Sequence, residues 1–515
     1  MEAVSPGKEE ALMEENNLPF ETGFMPPHEV SPRFRFGKGE LLLAPVLLIL
    51  GILLADMLLY AGLALGFSVI CLACLGIMTG YLLRRGHKLT GYSGTLLALS
   101  GVIALSFVRS EDGFVKFVML CFLLVSGTLG LCLLAGQNRR SPAGVTSLAD
   151  CFRAFFYLGI WKMPEAFRGL NDARKDPAHG GKDRGAVLGG LLIAVPVVAI
   201  LIAFLTSADA AFEGLVAKLP EVDMGEPLVA AIFGAPMGVI LYTAAAALHH
   251  NPKEAPTPVK NGKIHPLTVN TVLICVGAVY GVYLFSQLAY FVGGFAGILP
   301  EDYTMAQYAR RGFFDMAWLC AINLAIMTGA VGLVKKENGA VGKLTRALCL
   351  FVGVMTVFFV VASGAKMVLY IDGYGLTRLR VLTCVIEVFF GITAVIVSIW
   401  LFLPKLPYMK AVMLAGLLLG ALTAWVDVDT VVASYNVHAY QTGRLETVDV
   451  AYLGELSDSA LPYIARLTQD GDEDIAAMAR RELNGREAPL SEDLRSWNIA
   501  ADIAQNAWHW PDMDD

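Results

Sequence analysis

Apolar residues fall in blocks of around 20 along most of this chain, separated by short stretches rich in Gly, Pro and charge. A helix of about 20 apolar residues crosses the hydrocarbon core of a bilayer, so the pattern predicts spanning helices rather than amphipathic ones. Eleven are expected, near 41–58, 62–83, 93–108, 114–135, 186–206, 227–248, 267–291, 311–334, 344–370, 381–403 and 409–426. The first two share one run from Leu41 to Leu83, too long for a single crossing. Tyr60-Ala61-Gly62 supplies an interface aromatic and a tight turn between them. The run at 93–108 is short for a span. After 426 the pattern changes to short amphipathic helices: VDVAYLGELS, SALPYIARLTQ, DEDIAAMARREL and EDLRSWNIAADIAQNAW. Asp472 is placed to cap the third, and Pro462 sits early in the second, where proline is tolerated. The expected fold class is all-α: a polytopic helical membrane protein of about eleven transmembrane helices with a small helical C-terminal segment.

Composition agrees with this reading. Of 515 residues, 56% are hydrophobic and 17% charged, with a mean hydropathy of +0.59. Soluble domains run at about 45–50% apolar and about 25% charged. A cytosolic enzyme, a secreted disulfide scaffold and a nucleic-acid binder are excluded, and the lipid bilayer is the expected surrounding.

Charge adds orientation and a domain division. Residues 1–40 carry four basic and eight acidic groups and read as an acidic, mostly disordered tail. The body, 41–426, carries a net +9, and 427–515 holds six Arg, no Lys and 18 acidic groups, a net −12. With the N-terminus inside, the expected cytoplasmic loops hold 24 Lys and Arg against eight on the other side, as the positive-inside bias requires. The chain is therefore expected in the plasma (inner) membrane, multi-pass, with a cytoplasmic N-terminus and the C-terminus outside. No cleavable signal peptide is expected, because no apolar stretch precedes Leu41. Within the cytoplasmic loop 136–185, CFRAFFYLGIWKMPEAFRGL (151–170) predicts an interfacial helix.

Candidate chemistry is sparse. There is no Walker-A loop, HExxH, GxSxG elbow or strand-linked GxGxxG, which leans against an enzyme. Cys71 and Cys74 form a CxxC inside an apolar run, where buried thiols are the ordinary reading. No histidine falls mid-span, so no metal set and no cofactor is expected. What stands out is basic residues on the outer side: Arg310 and Arg311, then Lys366, Arg378 and Arg380. Asp315 lies four residues past Arg311 on the same helix face. Glu387 lies seven past Arg380, roughly 10 Å deeper at 1.5 Å per residue. Charges within spans cost about 2.5–3.5 kcal/mol each, so they face the interior and pair. They serve either as bridges that fix helix packing or as a pocket for phosphate or carboxylate, with Arg378, Arg380 and Glu387 the better candidates. Asp56 lies at a similar level in the first span. Gln287, Tyr290, Gly293 and Gly294 close the seventh span on that side, the glycines permitting a sharp exit or a re-entrant turn.

These stretches also carry a likeness. QLAYFVGG (287–294), YARRGFFDMAWLCAIN (308–323), LYIDGYGLTRLR (369–380, with Tyr374) and, in the tail, SYNVHAYQTGRLETVDVAYLGELSDSALP (434–462) and RSWNIAADIAQ (495–505) resemble a family of bacterial polytopic membrane proteins catalogued only as a domain of unknown function. The likeness runs from about 41 to 505. Where such proteins often have Glu after GFF, this chain has Asp315. The resemblance implies an integral membrane protein with an outer C-terminal segment and carries over no catalytic residue.

Three functions compete. One is a non-enzymatic envelope or signalling component whose outer tail, with Trp497, Trp508 and Trp510, recruits a protein partner. The others are a transporter of an anionic or polar solute, and an outer-face intramembrane transferase acting on a lipid-linked substrate, with the Arg cluster on phosphate and Asp315 or Glu387 as base. A cavity around Arg310–Arg380 favours the latter two; a closed seam favours the first.

Overall fold

The computed structural model describes residues 34–109, 111–139, 148–175, 225–253, 262–295, 305–335, 341–486 and 493–507, with single positions at 198, 201 and 205. Its helices are α1 (Lys38–Asp56), α2 (Leu65–Arg84), α3 (Gly91–Ser106), α4 (Gly113–Ala135), α5 (Leu148–Arg153) and α6 (Met163–Lys175). They continue with α7 (Gly225–His250), α8 (Pro266–Phe295), α9 (Met305–Leu333), α10 (Lys343–Tyr374), α11 (Arg378–Phe402) and α12 (Tyr408–Val426). The C-terminal segment supplies α13 (Val428–Gln441), α14 (Val450–Gly454), α15 (Leu461–Leu467), α16 (Glu473–Asn484) and α17 (Ile499–Ala507). The protein is all-α. Among the described residues nine helices are long and apolar enough to cross a membrane: α1, α2, α4 and α7 to α12. With α3 as a shorter apolar helix, this is the architecture of a multi-pass membrane protein. The expected span at 186–206 and most of the acidic 1–40 tail lie outside the described residues.

Local sequence sets the boundaries. The run from Leu41 to Leu83 divides as expected. α1 ends in a π-helical turn, Met57–Ala61, and Gly62 turns the chain at φ 77° before α2. Asp112 starts α4 by accepting the Val115 N–H at 2.7 Å, and Thr90 caps α3 through Ser93 N at 3.2 Å. Both satisfy amide donors that a helix start leaves unpaired. α8 stays helical through Gly293 and Gly294 to Phe295, so the expected sharp exit does not occur at those glycines.

Small residues govern the closest helix crossing. A Cβ on Gly51 of α1 would lie 2.2 Å from the Gly238 nitrogen of α7, and one on Gly234 would lie 2.3 Å from the Ile52 Cα. Backbones meet there without side chains between them, the arrangement a GxxxG spacing permits. The interfacial stretch is split. Ala154, Leu158, Ala166 and Leu170 are buried, while Phe152, Phe155, Phe156, Trp161 and Phe167 are exposed. One face packs under the bundle and the other presents the aromatics outward.

The C-terminal segment shares a core with the bundle. Val432, Val437, Leu453, Leu461, Ile464 and Leu467 belong to one buried cluster with Phe67, Leu96, Ile103 and Phe107 of α2 and α3 and the turn after α3. The chain enters the segment through Asp427, which is fully buried at φ 62°, a conformation Asp tolerates better than most residues. Its Oδ2 accepts the Thr430 hydroxyl at 2.7 Å. The structure also supplies α13, a helix that the amphipathic pattern of the tail did not include.

Candidate functional site

Arg378, the first residue of α11, is the centre of the seam between bundle and C-terminal segment. Its Nε and Nη2 donate to Asp429 Oδ1 and Oδ2 at 2.5 and 2.6 Å. Asp112 Oδ2 stands 3.2 Å from Nε. Two parallel bonds between a planar fork and a carboxylate make the strongest geometry an ion pair has. Asp429 is fully buried and also accepts the Ser457 N–H at 2.9 Å. Burial alone would raise its pKa, but the guanidinium and Ser457 hold it below the usual carboxylate range. The Arg378 N–H donates to the Tyr452 hydroxyl at 2.9 Å. A few residues earlier, the Asn436 amide pairs with both backbone groups of Leu376, N at 2.6 Å and O at 2.9 Å. Gly375 beside it adopts φ 71°, and a Cβ there would strike Asn436 Oδ1 at 2.5 Å.

The seam continues in both directions. Arg495 Nη1 reaches Asp56 Oδ2 at 2.8 Å, and Ile499 N donates to Val108 O at 3.0 Å. Glu111 Oε2 accepts the Asp458 N–H at 3.0 Å. Burial pushes the Glu111 carboxyl up to about 7, with the neighbouring Asp458 charge adding to it. Arg486 donates to the Gly454 and Leu456 carbonyls and stands 3.4 Å from Asp458.

Among the described residues, the expected site residues do not come together. Arg380 donates to the Tyr374 and Gly375 carbonyls and its guanidinium stacks on the Tyr370 ring, 3.9 Å from the centroid. Tyr374 itself is exposed. Asp315 is exposed, and the side chains of Arg310, Arg311, Gln287 and Tyr290 lie outside the described residues. Arg378, Arg380 and Glu387 do not converge. Arg378 turns across to the C-terminal segment instead of down its own helix, because a carboxylate on α13 meets it at the helix start. Asp112 and Asp429 were missed as its partners. The signal available was the Val-Asp-Val-Asp run at 426–429, two acids at the end of the last span.

Glu387 stands apart in a second polar group. It is 2% exposed, it contacts the Ser363 hydroxyl, and its Oε1 has no hydrogen-bond partner among the described residues. Cys320 and Cys384 lie near it. In the same helix group the Tyr280 hydroxyl donates to Asn323 Oδ1, and Asn323 and Thr356 are fully buried.

At the opposite end of α1 from Asp56, one set of side chains has metal-ligand chemistry. Glu40, His249 and His250 offer donor atoms all within 4.8 Å of one another. Glu40 is fully buried, and its Oε1 receives Tyr81 Oη at 2.8 Å, His250 Nε2 at 3.2 Å and the Arg85 guanidinium. Its Oε2 accepts the Gly37 N–H at 2.9 Å. His249 Nδ1 meets His87 Nε2 at 3.0 Å. Burial and the Lys253 charge lower the His87 pKa.

Between α2, α4, α7 and the interfacial stretch lies an apolar cavity of about 340 Å³, lined by residues including Cys74, Met78, Leu131, Phe155 and Met237. No curated protein and no solved structure matches the chain. The family model described as "Domain of unknown function (DUF4153)" matches residues 96–467, a stretch that holds Asp112, Arg378, Asp429 and Ser457 and so both sides of the seam. The chain belongs to that family.

Proposed function

We propose that this integral membrane protein is a non-enzymatic component of the cell envelope or of envelope signalling, whose C-terminal segment is a fixed cap that docks a protein partner outside the membrane. The observation that carries the reading is the use of Arg378. A phosphate- or carboxylate-binding site needs a free fork, and this one is committed to Asp429 and Asp112. Arg380 is likewise engaged by backbone carbonyls and an aromatic ring. The cap's own surface offers Met478 beside exposed Asp474, Arg480 and Arg481 on α16, an apolar centre with a charged rim of the kind that partners use. The distribution of Lys and Arg supports a cytoplasmic N-terminus and an outer cap, in the plasma (inner) membrane.

A photoreactive residue at position 478 in intact cells is expected to give a discrete protein adduct that is lost when Arg378→Met frees the cap. In a cysteine-free background, single cysteines through α8 to α11 are expected to react with an impermeant thiol reagent from one side at most. Reactivity of the same positions from both sides would overturn the reading in favour of alternating access.

One observation favours a second reading, a proton- or cation-coupled transporter of a polar solute. Glu387 is buried at membrane depth with one carboxylate oxygen unpartnered among the described residues, and intramembrane acids of this kind mark ion pathways. Proton uptake by reconstituted vesicles that Glu387→Gln abolishes would establish it.

A further inference from the structure

Glu40 stands 210 positions from His250 in sequence, and with the adjacent His249 they come from two helices, yet their donor atoms converge at one end of the bundle. The crossing of α1 on α7 through Gly51, Gly234 and Gly238 is what brings the first turn of α1 against the last turn of α7. Phe34 and Phe36 pack on the His250 ring at centroid distances of 5.6 and 5.1 Å, and Tyr81 stands edge-on to His249 at 6.0 Å. The carboxylate is fully buried, and aromatic rings wall the histidines.

We infer that these three side chains form a binding site for a divalent transition metal, with zinc the ion their donors suit best. Two imidazoles and a carboxylate are a familiar zinc set, with a fourth position left for water or another ligand. Spacing agrees. Zinc bonds of about 2.0–2.1 Å in a tetrahedron place neighbouring donors about 3.3 Å apart, and His250 Nε2 lies 3.2 Å from Glu40 Oε1. His87 is the outer partner. Its ring nitrogen at 3.0 Å from His249 Nδ1 fixes the orientation of that imidazole, as hydrogen bonds behind metal-bound histidines do. Tyr81 performs the same service for the carboxylate.

Arg85 is the competitor. Its guanidinium holds Glu40 Oε1, supplying the positive charge that a buried carboxylate requires. The Arg85 side chain is 32% exposed, so it has a route to solvent when an ion takes over that charge. Histidine ligates only as the neutral imidazole, so protons compete with the ion and binding weakens in acid.

The test uses the full-length protein purified in detergent. Cobalt(II) is the probe, read by its visible tetrahedral absorption, with zinc added to displace it. The wild-type chain is expected to bind about one equivalent, the stoichiometry of a single site. His249→Gln and His250→Gln are expected to lose it, while His265→Gln, at the exposed start of α8, keeps it. Arg85→Gln is expected to bind at least about tenfold tighter, since a positive charge beside the site opposes a divalent ion by more than that at an effective dielectric of about 20. Solvent screening of the part-exposed side chain reduces the effect. Should a histidine variant assemble poorly, the wild-type melting temperature serves instead, because an ion that binds only the folded state raises it. A wild-type protein with no tetrahedral cobalt spectrum and no zinc-dependent rise in melting temperature would overturn the assignment. Equal binding by the wild type and both assembled histidine variants would do the same.

Discussion

Replacing Arg378 by Met tests what holds the C-terminal cap. The substitution keeps the apolar stem and removes the fork that spans Asp429 at 2.5 and 2.6 Å and Asp112 at 3.2 Å. Two carboxylates, 0% and 7% exposed, then lose the guanidinium that lies between them. Removing one partner of a buried pair costs about 3–5 kcal/mol. Because the Arg378 side chain is 32% exposed, solvent screens part of the charge, and the lower end, about 3 kcal/mol, is expected. At 1.4 kcal/mol per factor of ten, that raises the undocked population about 150-fold. Trypsin cleavage at Arg466, in the seven-residue helix α15 whose Leu461, Ile464 and Leu467 sit in the shared core, reads this population when opening is fast compared with cutting. So short a helix does not persist undocked. Arg378→Met in membranes is expected to be cut about 150-fold faster than the wild type, by the same conversion. The double replacement Arg378→Met/Asp429→Leu is expected to recover most of the protection, since no fully buried charge is then left alone. Equal cleavage of the single variant and the wild type would refute the reasoning. So would a double variant as exposed as the single one, which would show that apolar packing and not the ion pair sets the docking. Asp429, held below the usual carboxylate range, gives stability that is present above its unfolded value of about 4 and lost as pH falls through its folded value. The ion pair is therefore expected to persist at pH 5.

Three further outcomes are expected. Glu111, raised from 4.5 to about 7 by burial, favours the folded state below pH 4.5 and loses that contribution as pH rises through 7; Glu111→Gln is expected to flatten the melting-temperature profile over that window and to be more stable than wild type at pH 8. Gly238→Val forces a side chain into backbone approaching within 2.6 Å; overpacking costs about 1–3 kcal/mol or more, read as a lower melting temperature in detergent together with lost cobalt binding. Asp472 caps α16 through Asp474 N at 3.0 Å and Ile475 N at 3.5 Å; Asp472→Ala is expected to cost about 1 kcal/mol, seen as faster hydrogen exchange in α16 with the spanning helices unchanged.

Periodicity and composition alone determined the helical class, the position of most spans and the Asp472 cap, because each is a property of a local run of side chains. A block of 20 apolar residues is a spanning helix whatever it packs against, and the observed α11 and α12 at Arg378–Phe402 and Tyr408–Val426 lie within three residues of the expected 381–403 and 409–426. The residues suited to chemistry were legible as residues but not as partners. Arg378 announced itself as a charge at the start of a span, and Glu387, the acid within that same span, was the natural choice for it. The fold gives Arg378 to Asp429 instead, 51 residues away, because the sharp turn at Asp427 folds α13 back over the start of α11. Glu40 and the two histidines show the same limit at greater distance. Each is an unremarkable end-of-span residue, and their convergence depends on three glycines that let α1 and α7 touch backbone to backbone. Pairing across a bundle is set by which helices lie side by side and how closely. That is decided by the shapes of all the packed surfaces together, so no single stretch of the chain carries it.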